Sequence, residues 1–333
     1  MPNCNALKNH LCVSVDGHFK PCCRYISSEK FSVNDYTFEE YRNTEFYKTL
    51  VSNMKKGWDK GCGECKLEEE VLGKESMRHR FNRSFNSENI EFVELSVSNQ
   101  CNISCRMCNE KFSSKWAEIK QVEVPKQNFS KLIEKINWKH VKIVKYLGGE
   151  PFITKEFKML LDFLPDDVTL HVNTNCTLFP NKYIERLKKF KHVMIALSID
   201  GVGKVDEYIR QGTDWNKKVE VIDQWLQFAK ETSNKVFIHT VVQAHNIHDI
   251  KNIKQFAKSK NLENSWSPAI INYPDEYRLE ALDEDYVNQI KDEDNAVFLN
   301  TISNYNKDLN EKFKSTTQRM DALFGTRWED LIK

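Results

Sequence analysis

The reading turns on EFVELSVSNQCNISCRMC, residues 91–108. Its first part, Glu91–Val97, is a short run rich in β-formers and reads as a strand. Directly beyond it, Cys101, Cys105 and Cys108 stand in C-x3-C-x2-C spacing. Three thiolates this close together can wrap one face of an iron–sulfide cube. Three ligands leave the fourth iron open, whereas a closed structural site takes four. Two other readings stay open on spacing alone: a zinc site that borrows a fourth ligand, or a nest of buried thiols.

Outward from this stretch, strands and helices alternate. The further strands are expected at Val141–Leu147, Val168–Asn173, Val193–Ile199, Lys235–Val242 and Ser265–Ile271. Helical stretches fill the gaps: Phe112–Glu118 with Phe129–Ile136, Lys155–Phe163, Asn181–Phe190, Lys217–Glu231 and Ile247–Lys260. Such alternation predicts an α/β fold with parallel strands and right-handed crossovers. The form expected is a partial (β/α)6 TIM-like barrel, with its chemistry at the carboxyl ends of the strands. Residues 1–88 are expected to form a small cysteine-rich α+β module, 89–271 the core, and 272–333 a helical C-terminal tail.

One strand after the cysteines comes Tyr146-Leu-Gly148-Gly149-Glu150-Pro151. Two residues without side chains let the backbone approach a ligand, and their carbonyls can bind an ammonium group. Pro151 fixes the exit into the next helix. The chain has only 11 glycines, which makes an adjacent pair informative.

With these motifs in order, residues 92–243 resemble the radical S-adenosylmethionine (radical SAM) superfamily. The resemblance implies that Cys101, Cys105 and Cys108 hold a [4Fe–4S] cluster with one open iron. It places Gly148, Gly149, Glu150 and Pro151 at the amino group of S-adenosylmethionine, and Asn173 and Asn175 near the ribose and sulfonium. It puts Ser198 and Asp200 at the ribose-facing strand end, Arg210 at the carboxylate, and Met107 beside the adenine, where relatives more often have an aromatic residue. The implied chemistry is reductive cleavage of S-adenosylmethionine to a 5′-deoxyadenosyl radical, which abstracts hydrogen from a substrate. No acid or base residue can be assigned from the sequence. Without the resemblance, Asn173, Asn175 and Asp200-Gly201 read equally as turns, and Arg210 as a surface cation.

Six of the ten cysteines lie in the first 65 residues. VSVDGHFKPCC, from Val13, reads as two strands joined at Asp16-Gly17. TFEEYRNTEFYKTLVSNMKKG, from Thr37, reads as a helix opened by a Thr37/Glu40 capping box and ended by Gly57. Cys4 and Cys22 flank the hairpin, and Cys62 and Cys65 form C-x2-C in a glycine-rich knuckle. These four resemble the ligands of a twitch module, a shortened SPASM domain, placed here before the core. The resemblance implies a second [4Fe–4S] cluster. Zinc fits the same thiolates, and Cys23 is an alternative to Cys22. Cys12 is a further spare close by, Cys176 reads as a buried thiol, and His239, His245 and His248 read as structural.

Basic and acidic residues number 49 and 48. That balance gives no electrostatic footprint for nucleic acid or an anionic membrane. No run of 18 apolar residues and no signal peptide is recognised, so a reducing cytoplasmic setting is expected. The resemblance implies an electron donor such as flavodoxin or ferredoxin and a peptide, protein or small-molecule substrate. Two alternatives remain: action on nucleic acid or a nucleobase precursor, and a non-catalytic iron–sulfur or zinc protein.

Overall fold

The computed structural model describes residues 3–71, 73–124, 128–232, 234–302 and 304–332. The ends of the expected N-terminal module and tail at residues 1, 2 and 333 lie outside these, as do 72 and 303 within them; no expected site residue does. The described strands are, in chain order, β1 (His10–Val13), β2 (Phe19–Lys20), β3 (Phe92–Ser96), β4 (Ser104–Cys105) and β5 (Ile143–Leu147). They continue with β6 (Thr169–Thr174), β7 (His192–Ser198), β8 (Arg210–Gln211), β9 (Lys235–Val242) and β10 (Trp266–Ile270). All six expected core strands are present, as β3, β5, β6, β7, β9 and β10. Mostly parallel strands alternating with helices make the chain α/β. No helix among the described residues is long and apolar enough to cross a membrane.

The chain divides into two compact units. The first comprises residues 1–100, 121–172 and 183–193. Here β3 pairs in parallel with β5, and β5 with β6. The expected hairpin forms, with β2 antiparallel to β1 and Gly17 at a φ of 77° in the turn. The hairpin also joins the sheet, because β1 pairs in parallel with β3. Alternation along each strand then sorts side chains by face. Leu11, Val13, Val93, Leu95, Val144, Tyr146, Leu170 and Val172 form one fully buried apolar face. The in-register row Lys20–Cys12–Glu94–Lys145–His171 crosses the other.

The helix expected from Thr37 to Gly57 is two helices, Phe38–Arg42 and Glu45–Lys56. The Thr37/Glu40 capping box forms as expected. The break comes at Thr44, whose hydroxyl caps the second helix by accepting from the Tyr47 N–H. Phe38, Tyr41, Tyr47, Leu50 and Met54 are the buried stripe.

The second unit comprises residues 101–120, 173–182 and 194–333. It carries the parallel run β7–β9–β10 and a small antiparallel pair, β4 with β8. The helix Trp215–Thr232 buries Val221, Ile222, Trp225 and Phe228. The tail is helical over Glu284–Ile290, Ala296–Leu299 and Lys307–Phe324. Its Phe298, Leu299, Phe313 and Trp328 share one apolar cluster with Tyr208, Ile209, Val242, Ile247, Ile250 and Ile253. Burying a large apolar side chain is worth roughly 1.5–3 kcal/mol, so the tail is a structural part of this unit rather than a surface strap.

Candidate functional site

The cysteine loop lies in the second unit. Cys101 is held at both backbone ends by one side chain: its N–H donates to Ser114 Oγ at 3.0 Å, and the Ser114 hydroxyl donates to its carbonyl at 3.1 Å. Cys105 sits in β4 opposite Arg210 of β8, and Trp116 Nε1 donates to the Cys105 carbonyl at 2.8 Å. The Cys108 N–H closes a turn onto the Cys105 carbonyl at 3.0 Å. All three thiols are half-buried and within electrostatic reach of one another. Burial pushes the Cys105 thiol up to about 11, against the nearby Arg210 guanidinium, and pushes Cys108 up further. A cation must displace those protons to bind thiolates.

Behind Cys105 stands a charged pair. Arg210 Nη1 donates to Cys105 Sγ at 3.4 Å, and Arg210 Nε lies 3.0 Å from Asp200 Oδ2 without being aligned for a hydrogen bond. The other Asp200 oxygen accepts from the Val241 N–H at 2.8 Å. Asn246 Nδ2 donates to the carbonyls of Asp200 and Val241, both at 2.8 Å. Lys218, itself fully buried, donates to the Ser198 carbonyl at 2.9 Å and to Asp206 at 2.6 Å. Burial raises the pKa of Asp206, and Lys218 opposes that rise. The strand end Ser198–Asp200 is thus fixed by side chains from three directions.

The remaining expected contacts of this unit divide. Asn173 Oδ1 is buried with no hydrogen-bond partner among the described residues. Asn175 is committed to the protein: Nδ2 donates to Asn102 Oδ1 at 2.9 Å, and Oδ1 accepts from Thr177. It braces the cysteine loop. Met107 packs against the apolar cluster of the tail. Arg210 is spent on Asp200 and Cys105 rather than standing as a free cation.

In the first unit, the glycine pair follows β5. Gly148 and Gly149 have φ values of 96° and 53°. A Cβ on Gly148 would lie 2.6 Å from the Ser98 carbonyl oxygen, and one on Gly149 would lie 2.1 Å from that of Gln100. Only glycine lets these two loops lie against each other. The Glu150 N–H donates to the Gln100 carbonyl at 2.8 Å. The Glu150 side chain is buried and caps the turn Pro151–Ile153, with Pro151 at its first position.

The N-terminal thiols of the same unit lie within electrostatic reach of one another. Cys4 feels Cys65, Cys22 feels Cys23 first and then Cys4 and Cys62, and Cys62 feels Cys4 and Cys65. Burial pushes Cys4 up to about 11 and Cys62 up to about 12. Asp59 pins the knuckle: it accepts from the Gly61 N–H at 2.9 Å, Tyr25 Oη at 2.8 Å and Asn53 Nδ2 at 2.7 Å. Tyr25 follows Cys22 by three residues, so this network ties Cys62 to the Cys22 turn. Cys23 feels Glu94, Lys145 and Lys20 most, and Cys12 feels Glu94, Cys23, Lys20 and Cys22.

Both sets are thiol-only, the donor chemistry of an iron–sulfur cluster. Among the described residues no three His, Cys, Asp or Glu side chains converge as tightly as one metal ion would require. A cubane spreads its ligands over separate irons and does not ask for that convergence. Three features escaped sequence reasoning: the Asp200–Arg210 pair, the buried Lys218, and Arg106 inside the cysteine motif. Arg106 was in plain view, but its partners Asp321 and Thr326 are more than 200 positions away.

The chain is therefore an α/β protein whose strand ends carry a gathered thiol loop and a bare-backbone cradle. The model of the Radical SAM superfamily matches residues 95–257, so this chain carries a radical SAM domain. It is 26% identical over 279 residues to the radical SAM cyclopropyl synthase TigE of Paramaledivibacter caminithermalis, covering 78% of this chain and 57% of that protein. It is 27% identical over 179 residues to the GTP 3′,8-cyclase of Nautilia profundicola, covering 52% of this chain and 54% of that one. The chain thus spans little more than half the length of these relatives. Among solved structures it is similar to Streptococcus suis SuiB bound to precursor peptide SuiA. That match has 16% identity and a TM-score of 0.43, over 83% of this chain and 61% of that one. It is also similar to anSMEcpe with bound AdoMet, with 18% identity and a TM-score of 0.43, over 59% and 55%.

Proposed function

We propose that this radical SAM enzyme cleaves S-adenosylmethionine reductively and uses the resulting radical on a peptide or small-molecule substrate. The observation that carries the reading is the Cys101–Cys108 loop, whose middle thiol is paired with the buried Arg210–Asp200 couple. Cys101, Cys105 and Cys108 would hold a [4Fe–4S] cluster with one open iron. When bound there, cluster and S-adenosylmethionine together supply a 5′-deoxyadenosyl radical.

The protein's own work is binding and orientation. Gly148 and Gly149 would offer backbone to the amino group, with Glu150 and Pro151 setting the turn. Asn173 would meet the ribose region. Arg210 would hold Cys105 in its charged form. Ser198 and Asp200 would keep that strand end rigid, and Met107 would pack beside the adenine. Preorganisation of this kind places reacting atoms and excludes water.

We assign residues 1–88 to an auxiliary module, 89–271 to the core and 272–333 to a C-terminal extension. Cys4, Cys22, Cys62 and Cys65 would close a second [4Fe–4S] cluster, supported by the mutual reach of their thiols. With no open iron, that cluster would pass electrons or hold the fold. A flavodoxin or ferredoxin in the cytoplasm would supply the reducing electron.

A second reading has a specific support. The relatives include GTP 3′,8-cyclases, so a nucleotide is a candidate substrate. The near-zero net charge does not favour a polymeric nucleic acid. One experiment tests both. The protein is reconstituted anaerobically with iron and sulfide, reduced with dithionite and given S-adenosylmethionine. The expected result is about eight irons per chain and reductant-dependent 5′-deoxyadenosine. Stimulation by GTP would favour the nucleotide reading, and stimulation by a peptide the first. Zinc content with no cleavage would refute the enzyme reading.

A further inference from the structure

Arg106 lies between two of the three motif cysteines, yet its side chain is fully buried and paired with Asp321 of the tail. Its backbone N–H donates to the Ile209 carbonyl at 2.8 Å. Nε donates to the Tyr208 carbonyl at 2.8 Å, and the guanidinium lies over the Tyr208 ring, 3.6 Å from its centre. Nη2 donates to Asp321 Oδ1 at 2.8 Å and to Thr326 Oγ1 at 2.6 Å. A buried guanidinium needs a counter-charge, and Asp321 supplies it.

Asp321 is itself fixed. Its second oxygen accepts from the Trp328 N–H at 2.9 Å, and Oδ1 also accepts from the Thr326 hydroxyl at 2.9 Å. Gly325, at a φ of 66°, ends the helix Lys307–Phe324 and turns the chain so that Thr326 reaches back. The same helix end touches the loop again, the Arg106 guanidinium lying 5.6 Å from the centre of the Phe324 ring. Phe324 packs edge-on to Trp116 at 5.8 Å, and Trp116 holds the Cys105 carbonyl. Residues 321–328 lie outside the stretch matched by the superfamily model.

We infer that the segment Asp321–Trp328 positions the cysteine loop through Arg106, so that the C-terminal extension sets the geometry of the cluster ligands. Arg106, Asp321 and Thr326 are positioning residues. The inference rests on the cluster reading above for its consequence, but not for its geometry.

The test uses the full reconstituted chain with Asp321→Asn, Asp321→Glu and Thr326→Val. Phe313→Leu serves as a control that loosens the same helix where it packs against His245, without removing a hydrogen bond to Arg106. Two readouts are taken: amide hydrogen exchange over residues 101–112, and the electron paramagnetic resonance signal of the reduced cluster with and without S-adenosylmethionine. Asp321→Asn is expected to speed exchange of the loop about tenfold or more and to alter the signal in the presence of S-adenosylmethionine. Thr326→Val should do so more mildly, and Asp321→Glu should recover most of both. Wild-type exchange in both Asp321→Asn and Thr326→Val overturns the inference, as does Phe313→Leu reproducing the effect. A wild-type protein whose signal ignores S-adenosylmethionine would sink the functional reading instead, and the exchange data would still decide the positioning role.

Discussion

The Arg210 guanidinium is shared between Asp200, 3.0 Å from Nε, and the Cys105 thiol, 3.4 Å from Nη1. Arginine and aspartate are both buried, so each is the other's compensation. Burial lowers the Arg210 pKa, and Asp200 and Cys105 more than reverse this. Arg210→Met should leave Asp200 as an unpaired buried carboxylate and destabilise the protein by about 3–5 kcal/mol. Denaturant unfolding of the apoprotein measures this directly. A loss below 1 kcal/mol, on the order of a surface pair, would show that the pair is not buried in solution.

Replacing Cys105 by alanine should remove one cluster and leave the other. Iron should fall from about eight to about four per chain, with no 5′-deoxyadenosine formed. Iron assay and product chromatography on the same sample report both. Retained cleavage would mean that these cysteines are not the ligands.

The N-terminal ligand assignment separates two adjacent residues. Cys22→Ser should lose about four irons, whereas Cys23→Ser should keep the wild-type content, because Cys23 feels Glu94 and the lysines most. The opposite pattern would transfer the role to Cys23. Equal retention in both would argue against an auxiliary cluster on this set.

Gly149→Ala would put a Cβ 2.1 Å from the Gln100 carbonyl oxygen at a φ of 53°. The backbone must move, and with it the cradle. S-adenosylmethionine affinity should fall at least about tenfold, or 1.4 kcal/mol. Titration calorimetry on the reconstituted protein can show this, and unchanged affinity would remove the glycine pair from the site.

His10 gives a pH prediction for the first unit. It is fully buried, stacked 4.6 Å from Phe92, and burial lowers its pKa to about 3, helped by Lys145 and Lys20. Glu94 lies 3.8 Å away and is the only acid paired with it among the described residues. The folded chain keeps His10 neutral while the unfolded chain binds a proton below about 6.5. The stabilisation is therefore complete above about pH 6.5 and is lost as pH falls toward 3, at about 1.4 kcal/mol per unit. His10→Phe should flatten that slope in apoprotein unfolding between pH 6.5 and 4.5. An unchanged slope would mean that other groups dominate.

Much of the fold was legible because strand and helix periods are local. Each expected core strand appears within two residues of its expected ends. The Thr37/Glu40 capping box was legible for the same reason, being a contact three residues long. The break at Thr44 was missed because the apolar stripe runs through it. In the candidate site, the close backbone approach at the glycine pair was legible, since residue type carries it. That Asn175 donates to Asn102 was not legible, because the contact depends on where another loop lies.

The sequence by itself determined the α/β alternation, the thiol loop and the bare glycine pair, since each is written within a short window. Tertiary structure alone decided which charges neutralise each other. Asp200 meets Arg210, Lys218 meets Asp206, and Arg106 meets Asp321. It also decided which charges each adjacent cysteine meets beyond the other: Cys4 and Cys62 act on Cys22, and Glu94 and Lys145 act on Cys23. Periodicity tells a side chain which face to take. Only folding brings distant chain to that face, and burial then makes an unmatched charge too costly to keep.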